Sequence, residues 1–448
     1  MKSLVRFFSI LSLITISLGN ILAQESWSLE QCIAYAIENN IQLKQQELNV
    51  RVNENRYTQS KFAHLPNLNA NANHNYNFGR AIDYGSNTVS SDLASTSMSI
   101  SSSVTLFGGF QITNTREQNS IDLQASISDV NELKNNISLN IASAYLQILF
   151  YEELVETNKK QVELSELQKD RTQILVKAGS LPEGNLFEIE AQLASDELQL
   201  VSAQNQLDMA YLVLIQMLDL KTIENFRIQK PNLEGFDETI PSDSPLNLFE
   251  QSQNFLPQIK AANLRVISAQ KGLAIAKGGY YPRLSLSGSY STGARNYLKE
   301  NPPLLTNDPF MEQIKQNASY SVGLNLTIPI FNAWQVRTSV SNARINTEMA
   351  RLNFENKKNT LFKEIQQASA DATAALKKYQ ATTKSLSALQ ESYRYTEQKF
   401  GLGMVTTLDY TTAKTRLAKS ETDLLQAKYE FIFKTKILDF YKGNPIKL

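Results

Sequence analysis

From Gln111 to Ala178 this chain contains neither glycine nor proline, and the same holds from Ala333 to Phe400. Stretches so free of breakers read as single helices, each about 100 Å long at ~1.5 Å per residue. That reach is too great for an ordinary globular domain. Ile141, Ile148, Val155 and Val162 recur at heptad spacing, which favours coiled-coil packing. A shorter helix follows each long one, so four are expected, at about 111–178, 184–218, 333–400 and 406–442. Glycine marks the joining turns, Ala178-Gly179-Ser180-Leu181-Pro182 and Phe400-Gly401-Leu402-Gly403-Met404.

The plan is written twice. Tyr281-Pro282-Arg283-Leu284-Ser285-Leu286 echoes Leu65-Pro66-Asn67-Leu68-Asn69-Ala70. Val104-Thr105-Leu106-Phe107-Gly108-Gly109-Phe110-Gln111 matches Ile328-Pro329-Ile330-Phe331-Asn332-Ala333-Trp334-Gln335, and Lys177, Gly179, Leu186 and Ala191 match Lys399, Gly401, Leu408 and Ala413. The separation drifts by a few residues only, as expected for two copies that differ in loop length. Each copy holds a helical segment (about Leu29 to Phe62, then Leu248 to Gly278), two strands and two long helices. The expected boundaries are 24–246 for the first repeat and 247–448 for the second. A connector at 219–246, with Pro231, Pro241 and Pro245, is expected to have little regular structure.

Four segments alternate with period two, the signature of strands with two different faces. Asn67, Asn69, Asn71, Asn73, Asn75 and Asn77 oppose Leu68, Ala70, Ala72, His74, Tyr76 and Phe78. Ser97 to Thr105 at odd positions oppose Met98, Ile100, Val104 and Leu106; Ser285, Ser287 and Ser289 oppose Leu284, Leu286, Gly288 and Tyr290. In the fourth, Ser321, Gly323, Asn325 and Thr327 oppose Tyr320, Val322, Leu324, Leu326, Ile328 and Ile330. The expected strands are 66–79, 94–107, 282–293 and 317–331, with long polar hairpin loops at Gly79–Leu93 and Ser291–Asn317. A soluble sandwich would fit, but uncharged polar faces, lengths sufficient to cross a bilayer tilted, and aromatics near strand ends favour an outer-membrane barrel. Four strands cannot close around water, and open edges are not tolerated in lipid, so several chains must share one barrel.

The N-terminus agrees with export. Lys2 and Arg6 precede an apolar run from Phe7 to Leu18, and Ala23 offers a small residue for cleavage, so 1–23 reads as a signal peptide. Beyond it no apolar run is long enough for a transmembrane helix. With 44 Lys and Arg against 44 Asp and Glu there is no basic surplus for nucleic acid. Two histidines, His64 and His74, and one cysteine, Cys32, give no metal spacing or catalytic pairing, so neither cofactor nor enzyme activity is expected.

These residues resemble the TolC family of outer-membrane factors, over about Trp27 to Tyr441. The carriers are the opening from Leu29 to Asn40, both Pro-x-Leu strand starts, the Leu-Phe-Gly-Gly and Ile-Phe-Asn-Ala strand ends, and Gly403-Met404-Val405-Thr406-Thr407-Leu408-Asp409. Phe78-Gly79-Arg80, Ile82-Asp83-Tyr84 and Leu438-Asp439-Phe440-Tyr441 are similar to Bacteroidetes-type members. The resemblance implies an α+β membrane protein: a homotrimer whose twelve-stranded barrel, four strands per chain, is continued by an α-helical coiled-coil tunnel in the periplasm. It implies a passive exit duct in the outer membrane lipid, served by a periplasmic adaptor protein and an inner-membrane pump of the RND or ABC type.

By position Asp409 matches an acidic residue of the family's constriction, where three copies would form a cation-attracting ring. Its plainer reading is a helix N-terminal carboxylate favoured by the dipole. The site one turn on, acidic in some members, is Thr412, and its counterpart in the first repeat is Glu190, beside Glu188. Gly179, Ser180, Leu181, Gly401, Leu402 and Gly403 would be the adaptor-docking tips. Where some relatives latch the closed tip with Tyr and Arg, this chain has Phe400 and Val405. A non-conducting, periplasm-spanning coiled-coil rod or adhesin remains the alternative; a diffusion porin would close one barrel per chain and lack the paired helices.

Overall fold

A computed structural model describes residues 26–83, 88–220, 226–231, 244–298 and 308–447. The expected signal peptide lies outside these residues, as does much of the connector. Two compact units emerge. One comprises Leu48–Ile127 with Ala261–Glu355; the other comprises the chain up to Glu47, Ser128–Lys260 and Asn356–Leu448.

The first unit contains a four-stranded antiparallel sheet, β2 (Asn67–Asp83), β3 (Thr88–Gly108), β5 (Arg283–Tyr297) and β6 (Ser319–Thr327), in the order β2-β3-β5-β6. Its register turns the sequence alternation into rungs. Asn69, Ser101, Ser289 and Ser321 align, as do Asn71, Ser99, Ser291 and Ser319. The hydroxyls of Ser289 and Ser321 meet at 2.7 Å and those of Ser291 and Ser319 at 2.8 Å. Residues of the other parity form apolar rungs, such as Ala70, Ile100, Tyr290 and Tyr320. Several of these side chains are bare, with Leu68 76 % exposed and Val322 83 %. His74 belongs to this face, bonded through Nδ1 to Thr96 at 2.8 Å.

The helices beside the sheet keep its order. They are α2 (Ile41–Phe62), α3 (Gln111–Lys177), α6 (Pro257–Gly278) and α8 (Gln335–Gly401). Within this unit Asn119 of α3 donates to the Arg56 carbonyl of α2 at 3.4 Å, Lys271 of α6 pairs with Glu117 of α3 at 2.5 Å, and Thr347 of α8 donates to the Ala269 carbonyl of α6 at 3.2 Å. The lateral sequence α2-α3-α6-α8 therefore repeats β2-β3-β5-β6.

Strand limits differ from the sequence expectation for local reasons. β6 stops at Thr327 because Pro329 has no N–H to continue the ladder. β3 contains a bulge between Thr105 and Phe107, so Phe107 and not Leu106 pairs with Leu284. β2, β3 and β5 run into segments expected to be loops. The second of these also contains a short helix, α7 (Phe310–Gln316). There the Gln313 side chain accepts from the Arg295 N–H at 2.8 Å and donates to the Arg295 carbonyl at 2.9 Å. A side-chain amide thus stands in for the strand that β5 lacks past Ser291.

The second unit is helical. It holds α1 (Leu29–Asn39), most of α3 and α8, α4 (Glu183–Met217), α5 (Pro245–Ser252) and α9 (Thr407–Tyr441). The opening helix expected from Leu29 to Phe62 is broken at Asn40, whose side chain caps the Leu43 N–H at 3.1 Å. The connector is less irregular than expected: β1 (Ser26–Trp27) and β4 (Arg227–Ile228) pair in parallel, pinned by the Tyr145 hydroxyl, which donates to the carbonyls of Gln229 and Trp27. Three of the four heptad residues, Ile141, Ile148 and Val155, are buried. Among the described residues no helix is long and apolar enough to cross a membrane.

Cys32 is fully buried on α1, and burial pushes its thiol up to about 12. At neutral pH it has almost no thiolate, the reactive form. A maleimide is expected to label the native protein negligibly and the denatured protein fully. Rapid native labelling would contradict the packing of α1.

Candidate functional site

The two glycine turns of the helical unit share one geometry. Gly179 has φ +71° and Gly403 φ +72°. Ser180 donates to the Leu175 carbonyl and Met404 to the Lys399 carbonyl, each at 2.9 Å, the five-residue return that ends a helix on a left-handed residue. Ser180, Gly401 and Leu402 are exposed and Leu181 half-buried. Exposed Leu402, Met404 and Leu408 leave an apolar surface on the second turn.

The turns differ in what starts the next helix. α4 begins behind Pro182, with no side-chain cap. α9 begins with a capping box: Thr406 Oγ1 accepts from the Asp409 N–H at 3.1 Å, and the Asp409 carboxylate accepts from the Thr406 N–H at 3.1 Å and hydroxyl at 2.7 Å. The hydroxyl and N–H of Thr406 together hold the Asp409 carboxyl below the usual carboxylate range. The plainer reading of Asp409 as a helix-start residue therefore describes its local bonding. The carboxylate is nonetheless fully exposed and ionised, available to ions. Thr412 and Glu190 are exposed on α9 and α4 respectively.

Phe400, one of the two latch positions, stacks on Tyr410 with centroids 4.7 Å apart, and the Tyr410 and Tyr393 hydroxyls meet at 3.0 Å. Val405 is half-buried in the turn. One helical turn beyond Tyr410 on α9 lies a feature that sequence reasoning missed. The Lys414 ammonium, buried, donates to Asp196 Oδ2 of α4 at 3.0 Å, to the Gln161 carbonyl of α3 at 3.1 Å, and to the Ser165 hydroxyl of α3. Asp196 accepts in addition from Ser165 at 2.5 Å and from Gln192 at 2.8 Å. All three ammonium donors and both carboxylate oxygens are satisfied. One ion pair thus ties three helices together beneath the turns.

Sequence and fold comparisons agree with this geometry. The family described as Outer membrane efflux protein matches residues 32–219 and 248–433, one span on each half of the duplication. Toxin and drug export protein A of Aggregatibacter actinomycetemcomitans is 20 % identical over 339 residues, 75 % of this chain and 69 % of that one. Outer membrane protein TolC of Escherichia coli (strain K12) is 22 % identical over 357 residues, 77 % of this chain and 68 % of that one. The chain spans about two thirds of these relatives' length. The CmeC outer membrane channel of Campylobacter jejuni superposes with a TM-score of 0.77 at 20 % identity, covering 94 % of this chain and 86 % of that one. The chain belongs to the outer membrane efflux protein family: it is an exit duct of the outer membrane and not an enzyme.

Proposed function

We propose that three copies of this chain close their sheets into one twelve-stranded barrel, continued by a tunnel of the helices that follow the strands. Substrates would enter from an RND or ABC-type inner-membrane pump through a periplasmic adaptor seated on the turns at Gly179–Leu181 and Gly401–Gly403. The supporting observation is a matched pair of open edges. β2 and β6 are edge strands, and they run antiparallel to one another, so β6 of one copy can pair with β2 of the next. The flanking helices agree: α2 exposes Leu48 and Val52, and α8 exposes Ile345, Met349 and Leu352, as helices awaiting a partner would. The Asn and Ser rungs then line a neutral, wet passage, and the bare apolar rungs face lipid.

Within this reading 1–23 is removed on export, 24–246 and 247–448 are the two structural repeats, and Asp409 forms the constriction ring with Glu190 and Thr412 nearby. Single-channel recording on cross-linked, detergent-purified protein tests it. A trimer with small, steady, cation-preferring currents is expected. Asp409→Asn should abolish most of the reversal potential in a salt gradient. In the unsubstituted pore the preference should persist until pH falls below the ordinary carboxylate range, because the Thr406 bonds keep Asp409 ionised. An unchanged reversal potential would remove Asp409 from the constriction. A monomer without currents would favour the rod.

A further inference from the structure

Where the strands meet the helices, the first unit is ringed by exposed aromatics: Phe62, Phe110, Tyr280, Tyr281, Phe331 and Trp334, with Phe331 81 % exposed. Lys61, Lys277 and Arg337 are exposed at the same level. No acidic residue occupies 55–82, 93–116, 251–298 or 319–347. Lys61 and Lys277 lie in last turns, where a cation complements the helix dipole. Arg337 does the opposite. It lies in the first turn of α8, without an acidic partner among the described residues, its guanidinium 4.0 Å from the centroid of the Trp334 ring. The chain reaches Trp334 through two consecutive left-handed residues, Ala333 at φ +49° and Trp334 at φ +66°, a conformation disfavoured for side chains of this kind. The matching turn of the first repeat has the same geometry, with Gly109 and Phe110 both at φ +61°, so both strand-to-helix turns leave an aromatic ring exposed.

We propose that this collar is a binding surface for anionic phospholipid of the leaflet on the helix side of the barrel, with the aromatics at headgroup level and Lys61, Lys277 and Arg337 on the phosphates. The proposal rests on the barrel reading. Amphipathic rings collect at the membrane–water interface, which accounts for so many exposed aromatics at one level. A guanidinium offers paired donors to a phosphodiester, and an ammonium a compact charge. A soluble anion would explain the cations but not the aromatic belt.

The chain has two tryptophans, so Trp27→Phe leaves Trp334 as the sole indole. That variant, reconstituted into mixed phosphatidylcholine and phosphatidylglycerol vesicles, carries bromine on one lipid or the other at equal fraction. Brominated phosphatidylglycerol should quench Trp334 about threefold more strongly than brominated phosphatidylcholine, an effect of the size expected for basic residues at an anionic surface. Lys61→Gln with Lys277→Gln and Arg337→Gln should equalise the two. Equal quenching in the parent, or quenching by neither lipid, would overturn the proposal. Currents from the same vesicles separate the readings: currents with equal quenching overturn the lipid surface alone, whereas absent currents overturn the duct as well.

Discussion

Lys414→Met is expected to destabilise the helical unit by about 3–5 kcal/mol, the usual cost of breaking a buried pair on one side. The methionine fills the space but donates nothing, so Asp196 is left charged and buried with Ser165 and Gln192 as its donors. Asp196→Leu should cost a similar amount by stranding the ammonium. The double substitution should recover most of the loss, because a well-packed apolar pair is often as stable as the ion pair it replaces. Denaturant titration followed by helical circular dichroism, arranged as a double-mutant cycle, measures this. If each single substitution cost under about 1 kcal/mol, the value of an exposed pair, the pair would have to be solvated in solution.

Gly109→Ala should be at least as disruptive in the sheet unit. Gly109 has φ +61°, and a Cβ there would stand 2.3 Å from the Gly278 carbonyl oxygen and 2.9 Å from Tyr281 Cβ. The obstacle is backbone and cannot rotate away. The left-handed backbone alone costs an alanine roughly 1–2 kcal/mol, and the collision adds to it. A markedly lower melting temperature, followed by circular dichroism, is the expected outcome. The second repeat supplies the control: Ala333, its counterpart, already carries a side chain at φ +49°. Ala333→Gly should therefore be tolerated and raise the melting temperature slightly. Equal damage from both substitutions would show that Cβ crowding is not the cause.

Much of this architecture was legible because long elements repeat their signals. Six asparagines at alternate positions leave no other face for β2, and breaker-free runs leave no other structure for α3 and α8. The glycine turns were readable because both require a left-handed residue. Short elements were not. The two-residue β1–β4 bridge is too brief to show a period, and α7 sits in a polar segment where the decisive residue is one glutamine turned toward a backbone. The Lys414–Asp196 pair was hidden for another reason: a single helix does not reveal its partner. A trace existed, since Lys414 falls in line with Thr407, Tyr410 and Leu417, and Asp196 with Ile189 and Leu193, all buried. A charge on each of two buried stripes suggests that the two meet. At the turns, the helix-start reading of Asp409 matches its bonding, but the capping box was not read, although Thr406 precedes it at the spacing a box requires.

The unpaired edges of β2 and β6 also bear on how the molecule is made. The helical unit encloses a core of its own around Leu29, Tyr145, Ile148, Leu214 and Phe431, which a single chain can form at a rate independent of concentration. In the shared barrel proposed above, the sheet gains its last ladders from another copy. Its completion is then a higher-order reaction, which dilution slows. On that proposal a newly made chain would pass through a half-built stage in which the helices are formed and the strands await company. The length of that stage is set by how many sibling chains are within reach.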